Sequence, residues 1–295
     1  MCKNLVEKGD LDKPLVIYNR TKKRSSDLAE KIASDVGPGK TKVVDTINDA
    51  VQGSDIIFMC LGDDGAVNET VDVILQEDIK GKLVVDCSTV HPDTTNALEQ
   101  KITTKGAEFV GMPVFGAPPM ADNGQLVCVI AGAAAAVNKV KPYTTGVMAR
   151  ANIEYPDQPA GNATLLKVIG NTFIINMISQ LSEGHVLAEK SGLGVDNLQI
   201  FIATMFPGPY TAYSQRMLAG DYYQREEPLF HIDLARKDAR HARDLANRSG
   251  ASVKMLGLAQ ERLDMVKEEI GNQGDIPSVY GVVRKESGLE FKNKG

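Results

Sequence analysis

Short apolar runs alternate with helix-length segments over the first half of the chain only, and this constrains its fold more than any other feature. The runs are PLVIYN (14–19), KVVD (42–45), DIIFMCLG (55–62), KLVVDCST (82–89), AEFVG (107–111) and QLVCVIAG (125–132). Segments 21–35, 47–51, 64–75 and 92–105 between them suit helices, and Pro92 suits a first helical turn. Buried strands separated by helices predict a parallel, doubly wound α/β sheet. After Pro156-Asp157-Gln158-Pro159 the strand pattern stops. Segment 163–191 keeps helical spacing for about eight turns and ends at Gly192. Its apolar positions Leu166, Ile169, Phe173, Met177, Leu181 and Leu187 are expected to share one buried face. Further helices are expected at 195–203, 210–218, 230–249, 252–271 and 277–285, with one turn-rich break at Phe206-Pro207-Gly208-Pro209. No fixed-period repeat is present. The expected organisation is an α/β domain over 1–158 followed by an all-α domain over 159–295.

A chain of 295 residues with 43% hydrophobic and 24% charged side chains has the size for about two folded domains. Its net charge of −5 argues against a general nucleic-acid binder. No apolar run reaches membrane-spanning length, and MCKNLVEKGDLDK is not a secretory signal. The four cysteines, Cys2, Cys60, Cys87 and Cys128, have no paired spacing. They read as reduced core thiols of a cytoplasmic protein, not as disulfide or zinc ligands. The four histidines have no metal-ligand spacing, so no metal is expected.

Sheets of this kind bind ligands at the carboxyl ends of their strands. In a dinucleotide fold the end of the second strand meets the adenine ribose, where a carboxylate would hold the 2′-hydroxyl of NAD. Asn19-Arg20-Thr21 offers no carboxylate there, and Arg20 can fork onto a 2′-phosphate, which favours NADP over NAD. Lys23 and Arg24 read as a solvated helix start. Leu61, Gly62, Ser88 and Thr89 end later strands, where the nicotinamide half would lie. The two hydroxyls there also suit helix caps before Pro92. In GNATLLKVIGN (161–171), Lys167 and Asn171 lie four residues apart on one helix face. A lysine amid apolar neighbours can serve as acid or base near neutrality.

Five segments in order carry a resemblance: YNRT (18–21), VVDCSTVHP (84–92), GMPVFGAPPMADNGQL (111–126), GNATLLKVIGN (161–171) and RKDARHA (236–242). Together they resemble the β-hydroxyacid dehydrogenase family, which includes 3-hydroxyisobutyrate dehydrogenase, 6-phosphogluconate dehydrogenase and the glyoxylate/succinic semialdehyde reductases. The resemblance spans nearly the whole chain. It implies a Rossmann-like domain, a helical domain, NADP (or NAD) as cofactor and a homodimer formed through the helical domain. It also implies a small-molecule substrate, with Lys167 exchanging the alcohol proton and Asn171 holding the substrate. Lys237 and Asp238 match the family's Lys-Asp pair near the cofactor. Asp275 matches a recurrent acidic position but reads first as a helix-start charge. His241 reads as a helix-surface residue and His185 as a packed core residue.

Two departures qualify the resemblance. Pro113-Val114-Phe115-Gly116-Ala117 stands where the family usually has Pro-Val-Ser-Gly-Gly, a loop that binds the substrate carboxylate. Phe115 cannot donate that hydrogen bond, although the Gly116 backbone N–H could, so a bulkier or less polar carbonyl or an imine is expected. Imine reductases of this fold generally replace the lysine that is kept here. The second departure is at the start. MCKNLVEKG matches the family partway into its first helix, and no G-x-G-x-x-G occurs in residues 1–295. The expectation is a chain lacking the first, central strand and its phosphate loop, with weak or no cofactor binding by this polypeptide alone. A mitochondrial address stays open for the same reason. The alternatives to a hydroxy acid or aldehyde oxidoreductase are therefore an imine or non-acid carbonyl reductase, and a non-catalytic assembly module.

Overall fold

The computed structural model describes residues 1–293. The chain divides into two compact units, Met1–Lys167 and Val168–Gly295. The first contains strands β1 (Leu15–Ile17), β2 (Thr41–Val43), β3 (Ile56–Met59), β4 (Leu83–Asp86), β5 (Glu108–Gly111), β6 (Val114–Phe115), β7 (Leu126–Gly132) and β8 (Ala149–Pro156). Helices Lys22–Asp35, Ile47–Gln52, Asp64–Ile74 and Pro92–Thr104 follow the first four strands in turn. β3, β4 and β5 are parallel neighbours, with Ile57 opposite Val84 and Val84 opposite Phe109. All four residues of β4 are buried, as a central parallel strand requires. Its side chains alternate between faces. Val84 packs with Leu98, Ile102, Val67 and Val71, while Val85 packs with Ile130, Ala136 and Val140.

The sheet is mixed, which corrects the all-parallel expectation. β7 runs antiparallel to β5 and to β6, and β8 runs parallel to β7. β5 and β6 pair with the same strand, opposite Ala131–Gly132 and Val127–Cys128, and so run in one direction as a single strand interrupted at Met112 and Pro113, while segment 116–125 turns the chain back into β7 without a crossover. The sequence pattern did not reveal β8 because most of its residues are exposed and break the apolar run. Among the described residues, β1 and β2 pair only with each other and form a two-stranded piece apart from the six-stranded sheet.

Helix Gly161–Lys190 begins in the first unit and supplies the first helix of the second. It is followed by Val195–Met205, Pro209–Leu218, Asp221–Gln224, Ile232–Ser249, Lys254–Ile270 and Val279–Glu286. Gly192 and Gly250 end two of these helices at φ of 79° and 73°, a left-handed conformation that glycine adopts without strain. The expected buried stripe of the long helix is only partly present. Met177 and Leu181 are buried, but Ile169, Phe173 and Leu187 are exposed, Phe173 at 73%. The buried face runs instead through Val168, Asn171, Ile175, Ile178, Ser182 and His185. Three of these six are polar, which hid the face from a purely apolar pattern. No helix among the described residues is long and apolar enough to cross a membrane. Cys87 and Cys128 are core thiols, and burial pushes the Cys128 thiol up to about 12. Cys60 is exposed, against expectation, because it lies just past the end of β3.

Candidate active site

The strand ends of the first unit carry the sequence-predicted cofactor positions. Past β1, Asn19 Oδ1 accepts a hydrogen bond from Thr21 N at 2.8 Å, an Asx turn that leads into helix Lys22–Asp35. Arg20 between them is exposed. Lys22 pairs with Asp45 at 2.5 Å and Lys23 with Asp27 at 2.7 Å, so both flanking ammonium groups already face carboxylates.

Past β3 and β4, Leu61 N donates to Ser88 Oγ at 2.9 Å, and Ser88 N donates to Asp86 Oδ1 at 3.0 Å. Ser88 therefore ties two strand ends together. It is not the helix cap that its position before Pro92 also allowed. That cap is His91, whose Nδ1 accepts from Asp93 N. Gly62 and Thr89 complete these two loops. Asp86 is fully buried and was not singled out from the sequence. Its position as the last residue of an apolar run, VVD, is the signal that could have found it.

Lys167 is placed by the way its helix starts. Gly161 N donates to Asn96 Oδ1 at 2.8 Å, Ala160 N donates to Glu99 Oε2 at 3.1 Å, and the Thr95 and Thr164 hydroxyls lie 2.9 Å apart. These bonds fasten the first two turns to helix Pro92–Thr104. A Cβ at Gly161 would lie 2.7 Å from the Pro92 carbonyl oxygen, so the close approach requires glycine. Lys167 is consequently buried, 8% exposed, with Nζ 4.3 Å from the centroid of the Phe115 ring. That is a cation–π contact. Phe115 is held in register by β6, opposite Val127 of β7. Gly116 follows at a φ of 136°, where a Cβ would lie 2.7 Å from Leu126 Cδ2.

In the second unit, Asn171 Nδ2 donates to Asp238 Oδ2 at 2.6 Å, and Lys237 Nζ lies 3.5 Å from Asp238 Oδ1. All three residues are buried. His241 is half-buried on the same helix, Ile232–Ser249. His185 is fully buried, bonded through Nε2 to Ser214 Oγ at 2.7 Å, and burial pulls its pKa down to about 4. Asp275 is a structural hub, accepting from Leu229 N, Phe230 N and Ile276 N and pairing with Arg216. It caps the turn Ile276–Ser278, the helix-start role that its sequence context suggested.

Residues 1–154 match the family model for the NAD-binding domain of 6-phosphogluconate dehydrogenase. Residues 161–283 match the model described as the NAD-binding part of NADP-dependent 3-hydroxyisobutyrate dehydrogenase. The chain belongs to the β-hydroxyacid dehydrogenase family. As a β-hydroxyacid dehydrogenase family member it is an NAD(P)-dependent oxidoreductase. It is 36% identical over 292 residues to an NADH-dependent oxidoreductase of Aspergillus ustus, covering 99% of this chain and 97% of the relative. It is 28% identical over 266 residues to glyoxylate/succinic semialdehyde reductase 1 of Arabidopsis thaliana, covering 88% and 86% of the two chains. In fold it is similar to 3-hydroxyisobutyrate dehydrogenase of Salmonella typhimurium, with a TM-score of 0.80 at 15% identity over 95% of this chain and 94% of that one.

Proposed function

We propose that this dehydrogenase interconverts a carbonyl and its carbinol, with Lys167 as acid and base, Asn171 on the substrate oxygen, and NADP preferred to NAD. The single observation that supports this most strongly is a lysine ammonium held inside the protein by a helix start that is bonded in place. The nicotinamide, when bound, supplies or takes up the hydride at the substrate carbon. In reduction, Lys167 Nζ gives its proton to the carbonyl oxygen as negative charge builds there. In oxidation, the neutral amine takes the hydroxyl proton. Positioned acid–base groups of this kind contribute about 10²–10⁴-fold.

The described residues fit a dinucleotide at its ends. Exposed Arg20 beside the Asn19–Thr21 turn would hold a 2′-phosphate, and the Ser88-linked loops at Leu61, Gly62 and Thr89 would flank the nicotinamide half. Residues 1–295 offer no G-x-G-x-x-G for the pyrophosphate. The NADH-dependent relative makes the Arg20 preference worth a direct comparison of the two cofactors.

Phe115 bears on the substrate. Its ring occupies the wall beside Lys167 and gives no hydrogen bond to a carboxylate, which supports a carbonyl not held by an acid group at this point. A cationic iminium would meet the Lys167 ammonium and needs no proton from it, so a neutral carbonyl fits better than an imine. Reduction of succinic semialdehyde, glyoxylate, a neutral aryl aldehyde and a cyclic imine, followed by NADPH absorbance, separates these substrates. Aldehyde turnover that falls about 10²–10⁴-fold in Lys167→Ala is the expected result. Undiminished turnover in that variant would remove the acid–base role, and turnover confined to the imine would favour the alternative reductase.

The helical unit also supports a homodimer. Phe173, Leu187, Ile200, Phe201, Met205 and Phe206 are all exposed large apolar side chains, more than a solitary small unit usually presents.

A further inference from the structure

Asn171 and Asp238 come from helices Gly161–Lys190 and Ile232–Ser249 and meet where both are almost solvent-free, at 4% and 2% exposure. Their contact is short, 2.6 Å from Nδ2 to Oδ2. A carboxylate only accepts, so the nitrogen of the amide must face it. Turning the amide over would set its oxygen against a carboxylate oxygen at the same distance, two acceptors with no hydrogen between them. Lys237 lies on the other carboxylate oxygen at 3.5 Å and opposes the negative charge there. The amide thus has one permitted orientation, with Oδ1 directed away from Asp238 and at most one N–H left for any other partner.

We propose that Asp238 is a positioning residue that acts through Asn171: it locks the amide in one of its two orientations, so that a substrate oxygen always meets the same group of it. This rests on the reading of Asn171 as a substrate-holding residue. Lys167 remains the group that gives the proton in reduction and takes it in oxidation, and Asn171 holds the oxygen it acts on. Without the carboxylate the amide can turn over, and part of its population presents the wrong group.

Two measurements test this. In the intact protein carrying ¹⁵N-labelled asparagine, the Asn171 side-chain amide, identified by its loss in Asn171→Ala, is expected to exchange slowly with solvent. In Asp238→Asn it is expected to exchange faster. In steady-state kinetics with the best aldehyde of the panel, Asp238→Asn is expected to lower kcat about 10-fold or more at little change in NADPH affinity. It should cause no further loss in the Asn171→Ala background. Losses that multiply across the two variants would show that Asp238 acts independently of Asn171 and overturn the proposal. If Asp238→Asn does not fold, the wild-type signal alone decides: an Asn171 amide exchanging as fast as a surface asparagine overturns it. A wild-type protein that turns over no carbonyl would refute the hydride-transfer reading, while the amide exchange would still decide whether Asp238 sets the orientation.

Discussion

Phe115 and Lys167 meet face to ammonium, and the two halves of that contact can be varied separately. Phe115→Ser is expected to restore a donor for a substrate carboxylate. It should raise kcat/KM for glyoxylate relative to a neutral aldehyde by about 10-fold, the worth of one hydrogen bond to a charged group, as read from the two progress curves. His185 makes a prediction about pH. It is fully buried and its pKa is depressed to about 4, so the unfolded chain binds a proton that the folded protein does not between about pH 6.5 and 4. Its contribution is fully present above pH 6.5 and is lost as pH falls through that window, by about 3 kcal/mol in all. Denaturant melts at pH 7 and pH 4.5 should differ by less in His185→Gln than in the wild type. At this scale the sequence was informative wherever the partners are close along the chain. The four-residue spacing of Lys167 and Asn171 was visible, and so was the departure at Phe115. The grip of Asp238 on Asn171 spans 67 positions and has no local signature, although the Lys237-Asp238 pair itself was noticed.

The start of helix Gly161–Lys190 is the element on which the site depends. A methyl group at Gly161 would press on the Pro92 carbonyl, which is backbone and cannot swing aside. Gly161→Ala is therefore expected to cost about 1–3 kcal/mol, as overpacking does, and to lower turnover as well, because Lys167 rides on the displaced turns. A thermal melt and a kcat measurement on the same preparation would check both. Core strands and long helices were legible from apolar period and from punctuation such as Pro92 and Gly192. β6 and β8 were not. β6 is two residues long, and β8 is an exposed strand whose polar residues erase the apolar run. The long helix was found, but its buried face was assigned only in part: Met177 and Leu181 are inside as expected, whereas Phe173 and Leu187 are outside and Asn171, Ser182 and His185 are inside.

For the whole molecule, oligomeric state and cofactor affinity are the measurable consequences. Light scattering after gel filtration is expected to give twice the chain mass of 31.8 kDa, and Phe201→Glu should shift it toward a monomer. NADPH is expected to bind residues 1–295 weakly because no phosphate loop lies within them, and a micromolar dissociation constant would contradict this. Arg20→Ala should weaken NADPH more than NADH. The two-stranded piece β1–β2 has a further consequence. Among the described residues its ladder joins no other strand, so its amides need not wait for global unfolding before they exchange with deuterium. The turn that carries Arg20 is attached to that piece. A nucleotide that grips Arg20 would therefore report itself as slowed deuterium uptake confined to residues 15–45, leaving the uptake of β4 and β5 unchanged.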